Sequence, residues 1–487
     1  MKVFLRTISL SLVILLGVLA WRTYQFTPPE QGAVEPLSKE SWDSAYLAEG
    51  LAEAIRYPTV SNKDSQQVDR QAFADFRAFL TERFPLVFQR IPHQVMAGDS
   101  LLFRWAGDNR DAAPILLLAH QDVVPVIPGT EQEWAYPPFA GVIAEGHIWG
   151  RGAVDDKASV MGILEAVERL LKEGFTPPRD IYLAFGHDEE VGGRGAVAMA
   201  QHIADSGEKL AFLLDEGGVI ARGMMAGVSR PIALIGPGEK GYVSLKLTAR
   251  GTGGHSSMPP QQTAAGIIAA AVSRLENNPM PARLDMMADL IRYLGDEIPW
   301  YQRVLFANEW LFAPLLDRIL RATPTLNAGI RTTTAVTMLE GSVQDNVLPI
   351  TASAVVNFRI IPGETVELVT QRVIDIIDDP RVSVSPYGGF GSNPSSVAAP
   401  DSAGFNVLSD IVRQVNPNVV VTPRLVVAAT DARHFEGVAE NSYRFIGIEL
   451  GPEEIAGIHG TNERVAVDSY RDAVQVYYQL IRRSREL

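Results

Sequence analysis

Ile115-Leu-Leu-Leu-Ala-His120-Gln-Asp122 is an unbroken apolar run that stops in polar, ionisable residues. Consecutive apolar side chains without alternation suit a strand buried on both faces, since a strand with one wet face would alternate. Two more runs have this form. Asp180-Ile-Tyr-Leu-Ala-Phe-Gly186 leads into His187-Asp-Glu-Glu190, and Leu210-Ala-Phe-Leu-Leu214 leads into Asp215-Glu-Gly-Gly218. Between the first two, Val160, Ile163, Leu164, Val167, Leu170 and Leu171 recur at helical spacing, with Gly174 placed to cap the helix. Strand, helix, strand, helix, strand predicts an α/β fold with a mostly parallel sheet between helices.

After Gly241 the pattern changes. Val243, Leu245, Leu247 and Ala249 alternate with Ser244, Lys246, Thr248 and Arg250, as in a half-buried antiparallel strand. A helix over 263–275, strands over 335–339 and 353–361, a helix over 366–377 and a strand over 382–384 complete a β-α-β-β-α-β order. That order predicts a ferredoxin-like α+β insert. The chain therefore divides into an N-terminal segment and linker (1–34), a first domain interrupted by the insert (35–240 and 393–487), and the insert itself (241–392). Inside the insert, residues 276–330 carry Trp300, Tyr301, Trp310, Leu311, Phe312, Leu315, Leu316 and Ile319. Local helical packing accounts for them; a roof over a hydrophobic cleft is the sharper alternative.

Lys2 and Arg6 precede the apolar run Ile8–Trp21, and Arg22 closes it, the layout of a secretory signal or signal anchor. The run is short for a full span, and Val18-Leu-Ala20 is a passable cleavage site, so either fate is open. Positive charge ahead of the run predicts a body outside the cytoplasm, membrane-anchored or exported. Thr27-Pro-Pro-Glu-Gln-Gly-Ala33 reads as a linker.

Composition narrows the chemistry. The 487 residues carry 43 basic and 57 acidic side chains, a net charge of −14, without a clustered basic block, so nucleic acid is not the expected partner. There are no cysteines, which excludes disulfides, thiolate metal sites and cysteine nucleophiles. Ligands of an α/β sheet bind beyond the carboxyl ends of its strands. His120-Gln-Asp122, Asp155-Asp156, Glu189-Glu190 and Asp215 would therefore share one crevice. So many carboxylates at close range need protons or metal ions to neutralise them. With His120 at hand and no thiols, a dinuclear His/carboxylate site suited to zinc is expected. Each piece alone is weak: Asp-Glu-Glu is usually a solvated turn, and their joint occurrence at strand ends carries the weight.

The runs His120–Pro125, Trp149–Lys157, Gly186–Val191, Leu214–Gly218, Gly254–Pro260, Gln344–Pro349, Val356–Ile360, Ala429–His434 and Ile458–Gly460 together resemble a known family. They are similar to the co-catalytic zinc metallopeptidases that include carboxypeptidase S, aminoacylases, glutamate carboxypeptidase and secreted N-fatty-acyl-amino-acid hydrolases. The resemblance spans roughly 40–485 and is nearest to the carboxypeptidase S branch, which has an N-terminal membrane segment. It implies a zinc-exopeptidase-like catalytic domain with the insert as a lid or dimerisation domain. It also implies two zinc ions, bridged by Asp155, with His120 and Asp215 on one and Glu190 and His459 on the other. Glu189 would be the general base and Asp122 would orient His120. From the insert, His255 would stabilise the oxyanion, and Asn346 and Arg359 would bind substrate, Arg359 by clamping a free carboxylate. Alternation supports the last role, because Arg359 points away from the apolar side shared by Val356, Phe358 and Ile360. Ala428-Ala429 stands where relatives often have two glycines, which leaves Thr430, Asp431 and Arg433 outside the assigned set. His93, His147, His187, His202 and His434 are expected not to bind metal.

The expected activity is metal-dependent hydrolysis of an amide beside a C-terminal carboxylate, a carboxypeptidase of short peptides. An N-acyl-amino-acid hydrolase, whose reaction also runs in reverse in some relatives, is the alternative, and a dipeptidase a further one. Relatives pair through the insert in some branches and not in others, so a homodimer stays open.

Overall fold

A computed structural model describes residues 1–37, 42–225 and 227–487, with the backbone alone described at Lys2, Asp296 and Phe390. The three apolar runs form parallel neighbours in a six-stranded sheet. Its order is His93–Met96, Ser100–Trp105, Ile181–Gly186, Ile115–His120, Phe212–Asp215 and Ser442–Arg444. The last four strands are parallel and the first two antiparallel. The absence of alternation in Ile115–Ala119 has the expected cause. Ile115, Leu117 and Ala119 enter one core with helices Lys157–Lys172 and Val467–Arg482, while Leu116 and Leu118 enter another with helix Arg194–Asp205. Each of these leucines and isoleucines, buried in full, contributes ~1.5–3 kcal/mol. Gly174 follows helix Lys157–Lys172 with φ +73°, the left-handed conformation that ends a helix cheaply only at glycine.

Residues 241–392 build a four-stranded antiparallel sheet ordered Thr333–Glu340, Thr351–Ile360, Gly241–Arg250, Val382–Ser392. Numbered along the chain, that is second, third, first, fourth, the ferredoxin-like arrangement. Thr263 and Thr365 cap helices Ala264–Asn277 and Val366–Ile377, which cover the apolar face of this sheet. The opposite face is polar: Tyr242, Ser244, Asn357 and Arg359 lie on it, with Ser244 hydrogen-bonded to both Tyr242 and Asn357.

Residues 276–330 form helices Asp285–Leu294, Trp300–Ala307, Glu309–Arg321 and Pro324–Ile330. Met287, Leu290, Ile291, Leu320 and Ile330 pack on Val228, Ile232 and Val420, against a smaller sheet containing Ile232–Ile235 and Val420–Pro423. The N-terminal helix is longer than the apolar run alone predicts. It covers Lys2–Gln25, because Val3-Phe-Leu5 continues the helix toward the N-terminus, and Val3–Gln25 is long and apolar enough to cross a membrane.

Candidate metal centre

The strand ends meet as the apolar runs require. Asp155 is the hub, reached from the His120 strand and from the loop before the C-terminal helix. Its Oδ1 lies 3.0 Å from His120 Nε2 and its Oδ2 3.1 Å from His459 Nε2. His459 Nε2 is also 3.1 Å from Glu190 Oε1. Ligand atoms of His120, Asp155 and Glu190 all fall within 4.8 Å of one another. Histidine nitrogens and carboxylate oxygens so grouped are a donor set suited to zinc and similar divalent ions.

Asp122 organises the site from behind. His120 Nδ1 is 3.0 Å from the Asp122 carbonyl oxygen and 3.4 Å from Oδ1. The same carboxylate accepts the backbone N–H groups of Glu189 and Glu190 at 3.1 and 3.2 Å. One buried side chain thus sets both a histidine and the turn that carries two glutamates. Among the described residues, no hydrogen bond or ion pair joins Asp215 to this cluster. Its Oδ2 accepts from Ala432 N at 2.7 Å and its Oδ1 from Glu216 N at 2.9 Å.

The electrostatics follow from burial. Burial opposes the charge of Asp155, but hydrogen bonds from His120 and His459 outweigh it and hold this carboxyl below the ordinary range. Hydrogen bonds to Asp155 and Glu190 push His459 up to about 10. Burial raises Glu190 and Asp215, and raises Glu189 strongly with help from the charge of Asp431. Carboxylates so disfavoured gain most from a cation, and a metal would release the imidazole protons as it binds.

The residues assigned to the insert are placed differently. Arg359 is half-buried with its guanidinium 4.9 Å from the Tyr242 ring. Burial and the nearby Arg433 charge lower its pKa, while Tyr242, Glu189 and Glu239 oppose that shift. Among the described residues it has no ion-pair partner. His255 and Asn346 are exposed side by side: Gly254–His255 pairs with Val347–Leu348, and Ser256 N donates to Asn346 O at 3.1 Å. The His255 ring accepts from Ser257. Among the described residues, no hydrogen bond or ion pair joins His255 or Asn346 to the cluster.

The five other histidines stay out of the cluster. His187 Nδ1 is 2.7 Å from Ser100 Oγ, His93 stacks on Phe103, His147 faces Glu454, and His202 meets Gln94. His434 is lowered to about 4 by burial and by Arg433.

Sequence reasoning missed several supports. Glu463 Oε1 accepts from the N–H groups of Gly152, Val154 and Asp155, and its Oε2 is 2.6 Å from Arg151 Nη1. It shapes the Asp155 loop, yet a lone glutamate four residues after His459 carries no sequence signal. Glu216 is raised well above its usual range by burial and by Asp155 and Asp215. Asp431, left unassigned, is buried with neither carboxylate oxygen hydrogen-bonded among the described residues, His434 Nε2 lying 3.9 Å from its Oδ1. Arg433 Nη1 lies 3.7 Å from Glu189 Oε1. Their adjacency in Thr430-Asp-Ala-Arg433 was the available signal.

Residues 116–483 match the model of peptidase family M20/M25/M40. The chain is 41% identical over 486 residues to the N-fatty-acyl-amino acid synthase/hydrolase PM20D1 of Xenopus tropicalis, covering 97% of this chain and 93% of that protein. It is 38% identical over 496 residues to the probable carboxypeptidase S-like 2 of Dictyostelium discoideum, covering 100% and 94%. Among solved structures, an M20 family metallo-carboxypeptidase from Sulfolobus solfataricus superimposes with a TM-score of 0.67 at 18% identity, over 91% of this chain and 99% of that one. Human carnosine dipeptidase 1 gives 0.62 at 16% identity, over 91% and 97%.

Proposed function

The chain belongs to peptidase family M20/M25/M40, and from that premise we propose that this hydrolase cleaves the amide bond of an N-acyl amino acid, beside its free carboxylate. The carrying observation is Arg359, a half-buried guanidinium without an ion-pair partner among the described residues and within electrostatic range of Glu189. A planar fork of donors so kept suits a substrate carboxylate by a bidentate pair. The acyl side is taken from the relative named an N-fatty-acyl-amino acid synthase/hydrolase. The relative named carboxypeptidase S-like supports a second reading, hydrolysis of short peptides from the carboxyl end, which uses the same clamp.

The grouped ligand atoms of His120, Asp155 and Glu190 support one divalent ion, and with Asp215 and His459 the five residues would hold two, zinc being the natural choice for these donors. Such ions, when bound, lower the pKa of a water and polarise a carbonyl. The remaining work belongs to the chain. Glu189, its pKa raised by burial and Asp431, accepts the proton of the attacking water and returns it to the leaving nitrogen. Asp122 keeps His120 and the glutamate turn in place. His255 would donate to the oxyanion, with Asn346 beside it, after the part of the insert outside residues 276–330 moves as a lid toward the strand ends. The N-terminal helix would hold this body outside the cytoplasm.

The test is amino-acid release from a long-chain N-acyl phenylalanine, its carboxamide, and a blocked dipeptide ending in phenylalanine. Preference for the acyl acid over the dipeptide is expected, with the carboxamide about tenfold or more poorer, and Arg359→Met should erase the acid-to-amide difference. Equal turnover of acid and amide by the parent enzyme would remove the clamp from the mechanism. Preference for the dipeptide would establish the second reading.

A further inference from the structure

The N-terminal helix is not joined to the body by a loose tether. Leu15, Leu19, Thr23 and Phe26 are half-buried while their neighbours are exposed, a stripe one turn apart that faces helix Trp300–Ala307. Arg22 Nε donates to Ala307 O at 3.1 Å. Asn308, fully buried where helices Trp300–Ala307 and Glu309–Arg321 join, donates to Leu19 O at 3.3 Å and to Thr23 Oγ1 at 3.2 Å. The stretch that follows is held as well. Arg413 Nη1 donates to Gly32 O at 2.8 Å, and Leu37 N to Gln414 O at 3.0 Å.

The helices it touches carry more apolar surface than the fold uses. Leu316 and Leu320 are buried, yet Trp310, Leu311, Leu315 and Ile319 are 40–53% exposed, and Trp300 and Tyr301 are 75% and 52% exposed. Leu311, Leu315 and Ile319 follow one another at single-turn intervals, with Arg318 exposed alongside. A helix with one apolar face inward and another outward has a second apolar medium to meet.

We propose that this face lies on a lipid bilayer, the one the N-terminal helix enters, so that helices Trp300–Ala307 and Glu309–Arg321 form a platform fixing the body against the membrane. The proposal rests on reading the N-terminal helix as an anchor, and the dimensions agree with it. At 1.5 Å per residue, Val3 to Trp21 spans ~27 Å, against a hydrocarbon core of about 30 Å. Trp21 and Tyr24, stacked with ring centroids 6.3 Å apart, then fall where interfacial aromatic residues gather. Leu15 to Trp21 covers roughly 9 Å of depth, so a helix packed beside that stretch lies at the ~5–10 Å depth of interfacial helices. Arg22 and Arg318 bring guanidinium groups suited to lipid phosphates to the same level.

The full chain in nanodiscs of phosphatidylcholine brominated near the headgroup tests this through tryptophan quenching. Of the seven tryptophans, Trp105, Trp134 and Trp149 are buried, and Trp42 packs against the main core. Trp21→Phe should therefore leave quenching that comes from Trp300 and Trp310 and disappears when both are also changed to Phe. Leu311→Glu with Leu315→Glu should reduce it while hydrolysis of a water-soluble substrate is kept. Quenching confined to Trp21 would leave the anchor standing and overturn the platform. Quenching absent altogether would overturn the anchor, and the platform with it. Cross-links through position 315 between two chains in one disc, without quenching of Trp300 or Trp310, would assign the face to a second copy and overturn the proposal.

Discussion

In the strand-end cluster, His120, Asp155, His459 and Glu190 form a chain of contacts at 3.0–3.1 Å, and Asp122 holds the backbone N–H groups of Glu189 and Glu190. His255 and Asn346, assigned to the same reaction, sit exposed on a ladder of two residue pairs and bond only locally. The first region is fixed by the core beneath it: to displace His120 or Glu190 is to disturb strands buried on both faces. The second is joined to its surroundings by few bonds. One half is prebuilt around partly buried charge, with His459 at its exposed rim, and on the proposed function the other half would be delivered to it. Such a division would let substrate enter before the site is complete.

Three substitutions probe that division. Glu189→Gln, within the prebuilt half, should lower kcat by roughly 10³–10⁴-fold, within the usual range for a general base, with metal content unchanged by elemental analysis. Turnover at the parent rate would take the proton transfer away from Glu189. His255→Ala should cost about 10²-fold in kcat, the loss of one oxyanion donor, while leaving metal content and Tm as in the parent. An unchanged kcat would mean that the exposed half takes no part in the chemistry. The smallest effect is expected at Lys240, which begins the connection between the two regions and donates to Arg331 O at 2.6 Å. Burial, with the charges of Arg359 and Arg331, lowers this ammonium to about 7. The folded protein therefore holds fewer protons here than the unfolded chain between about pH 7 and the ordinary lysine value of about 10.4, and parent stability should rise with pH across that window. Relative to Lys240→Met, urea unfolding should show the parent gaining up to about 1.4 kcal/mol per pH unit there. A difference that does not vary with pH would mean that Lys240 stays charged in the folded state.

What was legible in the sequence follows the same line. Strand ends announce themselves, because an apolar run that stops in His-Gln-Asp or Asp-Glu-Glu marks both an element and its chemistry. Arg359 was legible by alternation, and its strand puts it on the polar face beside Tyr242. Glu463 was not, since its work is to collect three backbone N–H groups of a loop about three hundred residues away in sequence. The position of His255 was not legible either: a motif names a residue type and leaves its distance from the cluster to tertiary packing. Aromatic residues at 300–312 marked a surface, but whether it meets protein, substrate or lipid depends on a helix encoded at the opposite end of the chain.

The Glu463 clamp bears on how the protein is made. His459 and the carboxylate that shapes the Asp155 loop both lie on the loop before strand Arg464–Ala466. On the proposed ligand assignment, a nascent chain arrested before this loop lacks a ligand and the support of the hub. Metal would then stabilise chains that include this loop and not ones cut before it.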